Sequence, residues 1–238
     1  YAQYSAFAMF YFKNLLGLVF LLLSIYALEK EKYGLMAVMF GALGIFHRPE
    51  FLLFALILIP YFAVHRRKGI VFAVLGAAVL IIPFWLPRWE ANWAVLSGVV
   101  GTAVTNIQTG AGLGGGTFLG LNTYTMVSLA YLPFAVMGAV YLAIKRNWNS
   151  IFLYSVISFI IVVFRLFFFK RFIIPLDIAV VILAAVGVDN TLLCRKGTWK
   201  IASVAAIILL VVASGFPTVT AANSARPLIS EQQLGAVE

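Results

Sequence analysis

Apolar runs dominate the chain and alternate with short loops that are rich in Lys and Arg. Spanning a membrane takes roughly 17–25 helical residues, and fewer where a helix ends against protein or a water-filled cavity. The expected spans are residues 14–28, 33–46, 50–64, 69–86, 124–144, 150–169, 172–193 and 200–216. Only 11% of the residues are charged, whereas a soluble domain carries about 25%. The sequence therefore predicts an all-α protein, a polytopic transmembrane helical bundle of about eight spans.

The second and third spans are short and meet at His47-Arg48-Pro49-Glu50. One interpretation joins them into a single long, kinked helix. A helical hairpin is favoured, because Pro49 suits the first turn of a new helix and a basic cluster follows at residues 65–68.

The orientation of the bundle follows from its basic residues. Ten of the seventeen Lys and Arg residues lie in alternate short loops: Lys30, Lys32, Arg66, Arg67, Lys68, Lys145, Arg146, Arg195, Lys196 and Lys200. The positive-inside rule makes these loops cytoplasmic, and an even number of spans then leaves both chain ends outside. The net charge of +9 comes from these clusters, so it indicates a membrane lipid surface and no nucleic acid partner.

The longest connection, residues 87–122, is expected outside and contains a glycine cluster at 110–116. It is either a mobile cover over an outward cavity or a plain flexible loop. The transmembrane domain is expected to cover residues 1–222. Residues 223–238 are expected to begin a truncated extracytoplasmic domain, because Ser230 and Gln233 have capping-box spacing at the start of a helix that is then cut short. We expect both termini to be cuts within a longer protein or a processed subunit.

Seven basic residues fall on the outward side: Lys13, Arg48, Arg88, Arg165, Lys170, Arg171 and Arg226. A cation at the bilayer centre costs roughly 2.5–3.5 kcal/mol, so it usually faces a partner or a cavity. Arg48, Arg165 and Arg171 lie beside helix ends, where a phosphate meets guanidinium groups and helix N-terminal N–H groups, and we expect an anion site there. Lys13, Lys170 and Arg88 have a second interpretation, in which they reach to outer headgroups.

Two carboxylates accompany these cations. Asp177 is expected to pair with Arg171 or Arg165, since a membrane carboxylate normally has a partner. Glu50 either caps the helix that it begins or contacts the substrate, together with the neighbouring His47. The single Cys194 excludes an intrachain disulfide, and His47 and His65 flank opposite ends of one apolar run. The sequence therefore predicts no metal site within this chain.

Four short motifs carry a resemblance to a known superfamily. They are residues 46–53 (FHRPEFLL), 170–176 (KRFIIPL), 13–17 (KNLLG) and 226–230 (RPLIS). In layout and motifs the chain resembles the C-terminal part of the membrane domain of GT-C superfamily glycosyltransferases. It is similar to archaeal, oligosaccharyltransferase-like members, although the motif of their loop between spans nine and ten is not visible in residues 87–122.

The resemblance implies a membrane glycosyltransferase with its active face outside the cell. Such an enzyme transfers a sugar or glycan from a polyprenyl-phosphate-linked donor. It also implies that the catalytic acidic residue precedes Tyr1 and that any divalent metal is held by residues outside this chain. Arg171 is then the first candidate for the phosphate contact, and Arg48 the second. The alternatives are a transporter or flippase of an anionic or lipid-linked solute, and a non-catalytic membrane subunit of a larger complex.

Overall fold

The computed structural model describes residues 12–94, 97–98, 101, 128, 131–166, 169–190, 204–205 and 208. Over this part of the chain, 90% of the residues are helical and no strand is present, which confirms the all-α prediction. The helices are α1 (Phe12–Glu29), α2 (Tyr33–Phe46), α3 (Arg48–His65), α4 (Lys68–Trp85), α5 (Leu132–Ile144), α6 (Ser150–Val163) and α7 (Ile173–Val188). Two of the described helices, Arg48–His65 and Lys68–Ala94, are long and apolar enough to cross a membrane.

The second and third predicted spans form a hairpin and not one kinked helix. His47 separates α2 from α3 with extended backbone angles, φ −146 and ψ 94. Pro49 lies in the first turn of α3, where its missing N–H leaves no helical hydrogen bond unmade. The ring of Phe51 then stacks on that of Phe40 with centroids 4.7 Å apart, which holds the two helices side by side.

Several predicted boundaries differ from the structure. The connection expected to begin at Pro87 is still helical, because a 3-10 turn at Leu86–Arg88 leads into a helix that reaches Ala94. Proline is tolerated in the first positions of such a turn. The side chain of Asn92 also donates a hydrogen bond to the Trp85 carbonyl at 3.1 Å across this segment.

The sixth span, expected over residues 150–169, ends as a helix at Val163. Arg165 adopts the left-handed conformation with φ 52. Its N–H bonds to Val162, and the N–H of Leu166 bonds to Ile161, which is the Schellman pattern that terminates helices. Arg165 therefore lies in the turn that follows α6, whereas the sixth predicted span, residues 150–169, included it in a helix.

Helix α5, Leu132–Ile144, covers the later part of the fifth predicted span, and most of residues 124–130 lie outside the described residues. The eighth predicted span at 200–216 falls outside the described residues, apart from three helical positions at 204, 205 and 208. The glycine cluster and residues 223–238 lie outside them entirely.

Helices α2, α3 and α4 form a first three-helix unit, in which α2 and α4 run parallel. Tyr33 at the start of α2 lies against Gly69, and Gly44 near the end of α2 lies against Ile81. Helix α1 packs antiparallel to α2, with the rings of Phe20 and Phe46 at 5.9 Å.

Helices α5, α6 and α7 form a second unit, in which α5 and α7 run parallel. Gly138 of α5 and Gly187 of α7 face each other so closely that a Cβ on either would collide with the backbone carbonyl of the other helix. The hydroxyl of Tyr131, just before α5, donates to the carboxylate of Asp177 in α7. Tyr154 of α6 donates its hydroxyl to the Pro175 carbonyl of α7.

The second unit runs in the opposite direction to the first. Glu29 Oε1, at the end of α1, accepts hydrogen bonds from the Ser150 backbone N–H at 2.6 Å and hydroxyl at 2.5 Å. The end of α1, the beginning of α2, the end of α5 and the beginning of α6 therefore share one end of the bundle. Since α2 begins and α5 ends there, their units are inverted with respect to each other, and α3 packs on α6 between them.

Candidate anion-binding cavity

A cavity of about 420 Å³ lies where α2 ends, α3 begins and α4 ends. Its lining residues are Ile45, Phe46, Arg48, Pro83, Phe84, Trp85, Pro87 and Arg88. Two arginines thus line one hollow whose other lining residues are aliphatic, aromatic or proline. The site suits a ligand that carries both a negative charge and an apolar part.

Both arginines are placed by helix ends that are tied together. Arg48 is the first residue of α3, and Arg88 ends the 3-10 turn that follows α4. The indole Nε1 of Trp85 donates to the Gly44 carbonyl at 2.9 Å, which joins the end of α4 to the end of α2. The rings of Phe51 and Trp85 meet edge to face at 5.6 Å. The separation of the two cations is therefore set by packed side chains.

The charge of this cavity is not compensated from within the part of the chain that the structure describes. Arg48 is half-buried and Arg88 is exposed, and neither forms an ion pair with a described carboxylate. Like charges in a partly apolar hollow repel each other, and an anion between them removes that repulsion. Guanidinium groups bind phosphate through paired N–H donors, so a phosphate is the anion that fits them best.

His47 and Glu50 lie in the protein interior beneath Arg48, with 4% and 2% of their surface exposed. Nδ1 of His47 is ion-paired with the Glu50 carboxylate, and its Nε2 lies 2.8 Å from Asn14 Oδ1. A Cβ on Gly17 would come within 2.7 Å of His47 Cγ, so α1 approaches the imidazole through a glycine. These residues brace the α2–α3 junction, and Glu50 also lies in the first turn of α3, where a carboxylate is favoured. Direct contact of His47 or Glu50 with a substrate stays a prediction.

The other predicted site residues are distributed over the second unit and the start of α1. Arg165 is exposed in the turn after α6, and Arg171 is exposed in the 3-10 turn Phe169–Phe172. Lys170 belongs to the same turn and Lys13 to the first turn of α1, and their side chains lie outside the described part, as does Arg226. The residues that line the cavity include neither Arg165 nor Arg171.

The structure thus gives Arg48 a different neighbour from those expected. Sequence reasoning left Arg88 open between the site and the outer headgroups, and the structure places it beside Arg48 in the lining of the cavity. A signal was present, because both arginines stand beside a proline at the end of an apolar run. The adjacency of α2 and α4, which are not consecutive helices, is a tertiary feature that this signal does not contain.

Asp177 is buried, and the hydroxyl of Tyr131 is one partner that sequence reasoning did not name. Its predicted pairing with Arg171 or Arg165 stays a prediction. Among the described residues, no three His, Cys, Asp or Glu side chains come together in a way that could hold a metal ion.

No protein-family model matches the chain, and no curated protein or solved structure matches it either.

Proposed function

We propose that this chain is the membrane part of a multi-pass glycosyltransferase that takes a sugar or glycan from a polyprenyl-phosphate-linked donor on the outer face of the cell membrane. The observation that carries the proposal is the pair Arg48 and Arg88 in one cavity with apolar walls. The arginines suit the phosphate, and the apolar walls suit the first isoprene units of the carrier.

The length of the fourth helix supports this placement in a bilayer. The continuous helix Lys68–Ala94 has 27 residues, and a rise of 1.5 Å per residue puts Arg88 about 30 Å from Lys68. That distance is about the thickness of the hydrocarbon core. With Lys68 at one interface, the cavity lies at the headgroup level of the other. The side chains of this helix that face away from the bundle are apolar and exposed, as at Phe72 and Val79.

Sugar transfer from such a donor releases a lipid phosphate, on which negative charge grows as the glycosidic bond breaks. The donor phosphodiester carries one negative charge and the departing lipid phosphate gains a second, so two guanidinium groups stabilise the transition state more than the bound donor and lower the barrier. Arg48 and Arg88 are the groups proposed for this role, with Arg165 and Arg171 as candidates for the acceptor or a second anionic group.

A transporter or flippase of a lipid-linked solute is the second candidate. It is favoured by the inverted directions of the two three-helix units, because inverted repeats are common in secondary transporters. Both candidates would use the same phosphate site in this chain. They are distinguished by whether the glycosidic bond of the donor is cut.

The test uses the full-length protein purified in lipid nanodiscs, with Arg48→Ala, Arg88→Ala and the double variant. The matched control is Lys30→Ala, which removes one exposed cation at the other end of the bundle. Each arginine variant is expected to weaken binding of a polyprenyl phosphate about ten- to hundredfold, the range for hydrogen bonds to charged groups. Sugar transfer from the corresponding donor should fall in parallel.

Unchanged binding in the double variant would remove the site. A different pair of results would favour the flippase over the transferase. In that case binding is lost in the arginine variants, and the wild-type protein moves the donor across liposome membranes without cutting its glycosidic bond.

A further inference from the structure

The end of the bundle opposite the cavity gathers three loops that are distant in sequence. The hydrogen bonds from Ser150 to Glu29 join the loop after α1 to the loop before α6. The ion pair between Glu31 and Arg67 joins the loop after α1 to the loop before α4. Six exposed cations lie in these loops: Lys30, Lys32, Arg66, Lys68, Lys145 and Arg146.

The carboxylates of Glu29 and Glu31 at this end already have partners within the chain. Glu29 accepts two hydrogen bonds at the first turn of α6, where the helix N-terminus also favours its charge. Glu31 is paired with Arg67, whose pKa is raised by a hydrogen bond with the Tyr33 side chain and by Glu31 itself. Within the described ranges, the six exposed cations form no ion pair. This end therefore presents an uncompensated positive surface.

Aromatic side chains hold this surface at the boundary between apolar helix and water. The ammonium of Lys32 lies 5.7 Å from the ring centre of Tyr26, and that of Lys145 lies 6.0 Å from the ring centre of Tyr141. Trp148 is exposed nearby and meets Phe152 edge to face at 5.5 Å. Rings with one apolar and one polar part favour the headgroup level of a bilayer.

We propose that this basic end binds the headgroups of anionic phospholipids in the leaflet that it faces. The six cations flank exposed apolar helix surface, which a bilayer covers and a nucleic acid does not. The inference rests on the membrane placement in the proposed function and not on sugar transfer. Each cation near an anionic surface is expected to contribute about fivefold to lipid preference at low salt.

The experiment measures lipid retention by native mass spectrometry on the purified full-length protein in micelles that contain equal amounts of phosphatidylglycerol and phosphatidylcholine. The wild-type protein should retain mostly phosphatidylglycerol, and the preference should weaken between 0.05 and 0.5 M NaCl, about the range over which surface charges become screened. The quadruple variant Arg66→Gln, Lys68→Gln, Lys145→Gln and Arg146→Gln should lose most of the preference. The opposite change, Glu31→Gln, releases Arg67 from its pair and should increase the preference.

Equal retention of the two lipids by the wild-type protein would overturn the inference, as would wild-type preference in the quadruple variant. If that variant does not fold, two double variants replace it. One combines Arg66→Gln with Lys68→Gln, and the other combines Lys145→Gln with Arg146→Gln. Each should lose part of the preference for phosphatidylglycerol. Loss of polyprenyl phosphate binding in the arginine variants of the cavity is measured separately, so either proposal can fail while the other holds.

Discussion

The two three-helix units have the same plan and differ in what holds their parallel helices together. In the first unit, glycines of α2 and α4 face the ends of flexible side chains: a Cβ added to Gly44 would meet Cδ1 of Ile81, and a Cβ added to Gly69 would meet the ring of Tyr33. In the second unit, Gly138 and Gly187 each face backbone. Side-chain ends can move aside, whereas a helix backbone cannot. Helices α2 and α4, whose contacts can adjust, border the cavity, whereas α5 and α7, whose contacts cannot, do not.

The two units also differ in the polar groups that they bury. The first unit buries an acid and a base, Glu50 and His47, at a break between helices. The second unit uses tyrosine hydroxyls, from Tyr131 to a carboxylate and from Tyr154 to a backbone carbonyl. Breaking a buried ionic pair leaves one charged group without its partner, whereas removing the hydroxyl that donates to a backbone carbonyl, as at Tyr154, costs about 1 kcal/mol.

The largest effect is expected from His47→Ala. It leaves the Glu50 carboxylate buried without its cation, and breaking such a pair costs about 3–5 kcal/mol of unfolding free energy. The measurement is reversible unfolding in detergent. The double variant His47→Leu with Glu50→Leu should recover most of the loss, because apolar replacement of a buried pair is often neutral. A double variant as unstable as His47→Ala would contradict the ionic explanation.

Gly187→Ala should come next, with a loss of about 2–3 kcal/mol, because the added Cβ meets the backbone carbonyl of Phe134 and must push α5 away. Gly76→Ala is the matched change in the first unit and should lie within about 1 kcal/mol of wild type, because its Cβ would lie 3.2 Å from Ala37 Cβ and needs only a small shift of the two helices. Equal losses in the two variants, measured by thermal unfolding, would abolish the contrast between the units.

Tyr154→Phe should cost about 1 kcal/mol, the usual contribution of one hydrogen bond between neutral groups. The ring remains packed between α6 and α7, and only the donor to the Pro175 carbonyl is removed. Unfolding in the same detergent checks this value. A loss as large as that of His47→Ala would show that the second unit also depends on its polar contacts.

Gly34→Ala should have the smallest effect and no loss of stability. No atom lies within 4 Å of the position of its added Cβ, and alanine is favoured over glycine in helices by up to about 1 kcal/mol. Any measurable loss in thermal unfolding would show that the beginning of α2 is packed more tightly than the structure indicates.

Local signals predicted the helices well where they were strong. The bounds predicted for the second span coincide with those of α2, and the position of Pro49 predicted the hairpin. The end of α6 was missed because the left-handed turn is formed by Arg165, a residue type with no special preference for that conformation. The pairing of Arg48 with Arg88 depends on contact between two helices that are separated by a third, and no periodicity within one helix reports it.

Gly17 is the residue at which α1 approaches the buried His47–Glu50 pair. Because the imidazole of His47 occupies the space of its missing side chain, the register of α1 determines whether the bend between α2 and α3 can close. A shift of α1 by one position would bring Leu16 or Leu18 against the ring and push away the segment that carries Arg48. The smallest residue of the first helix thereby sets the position of one of the two charges that define the pocket.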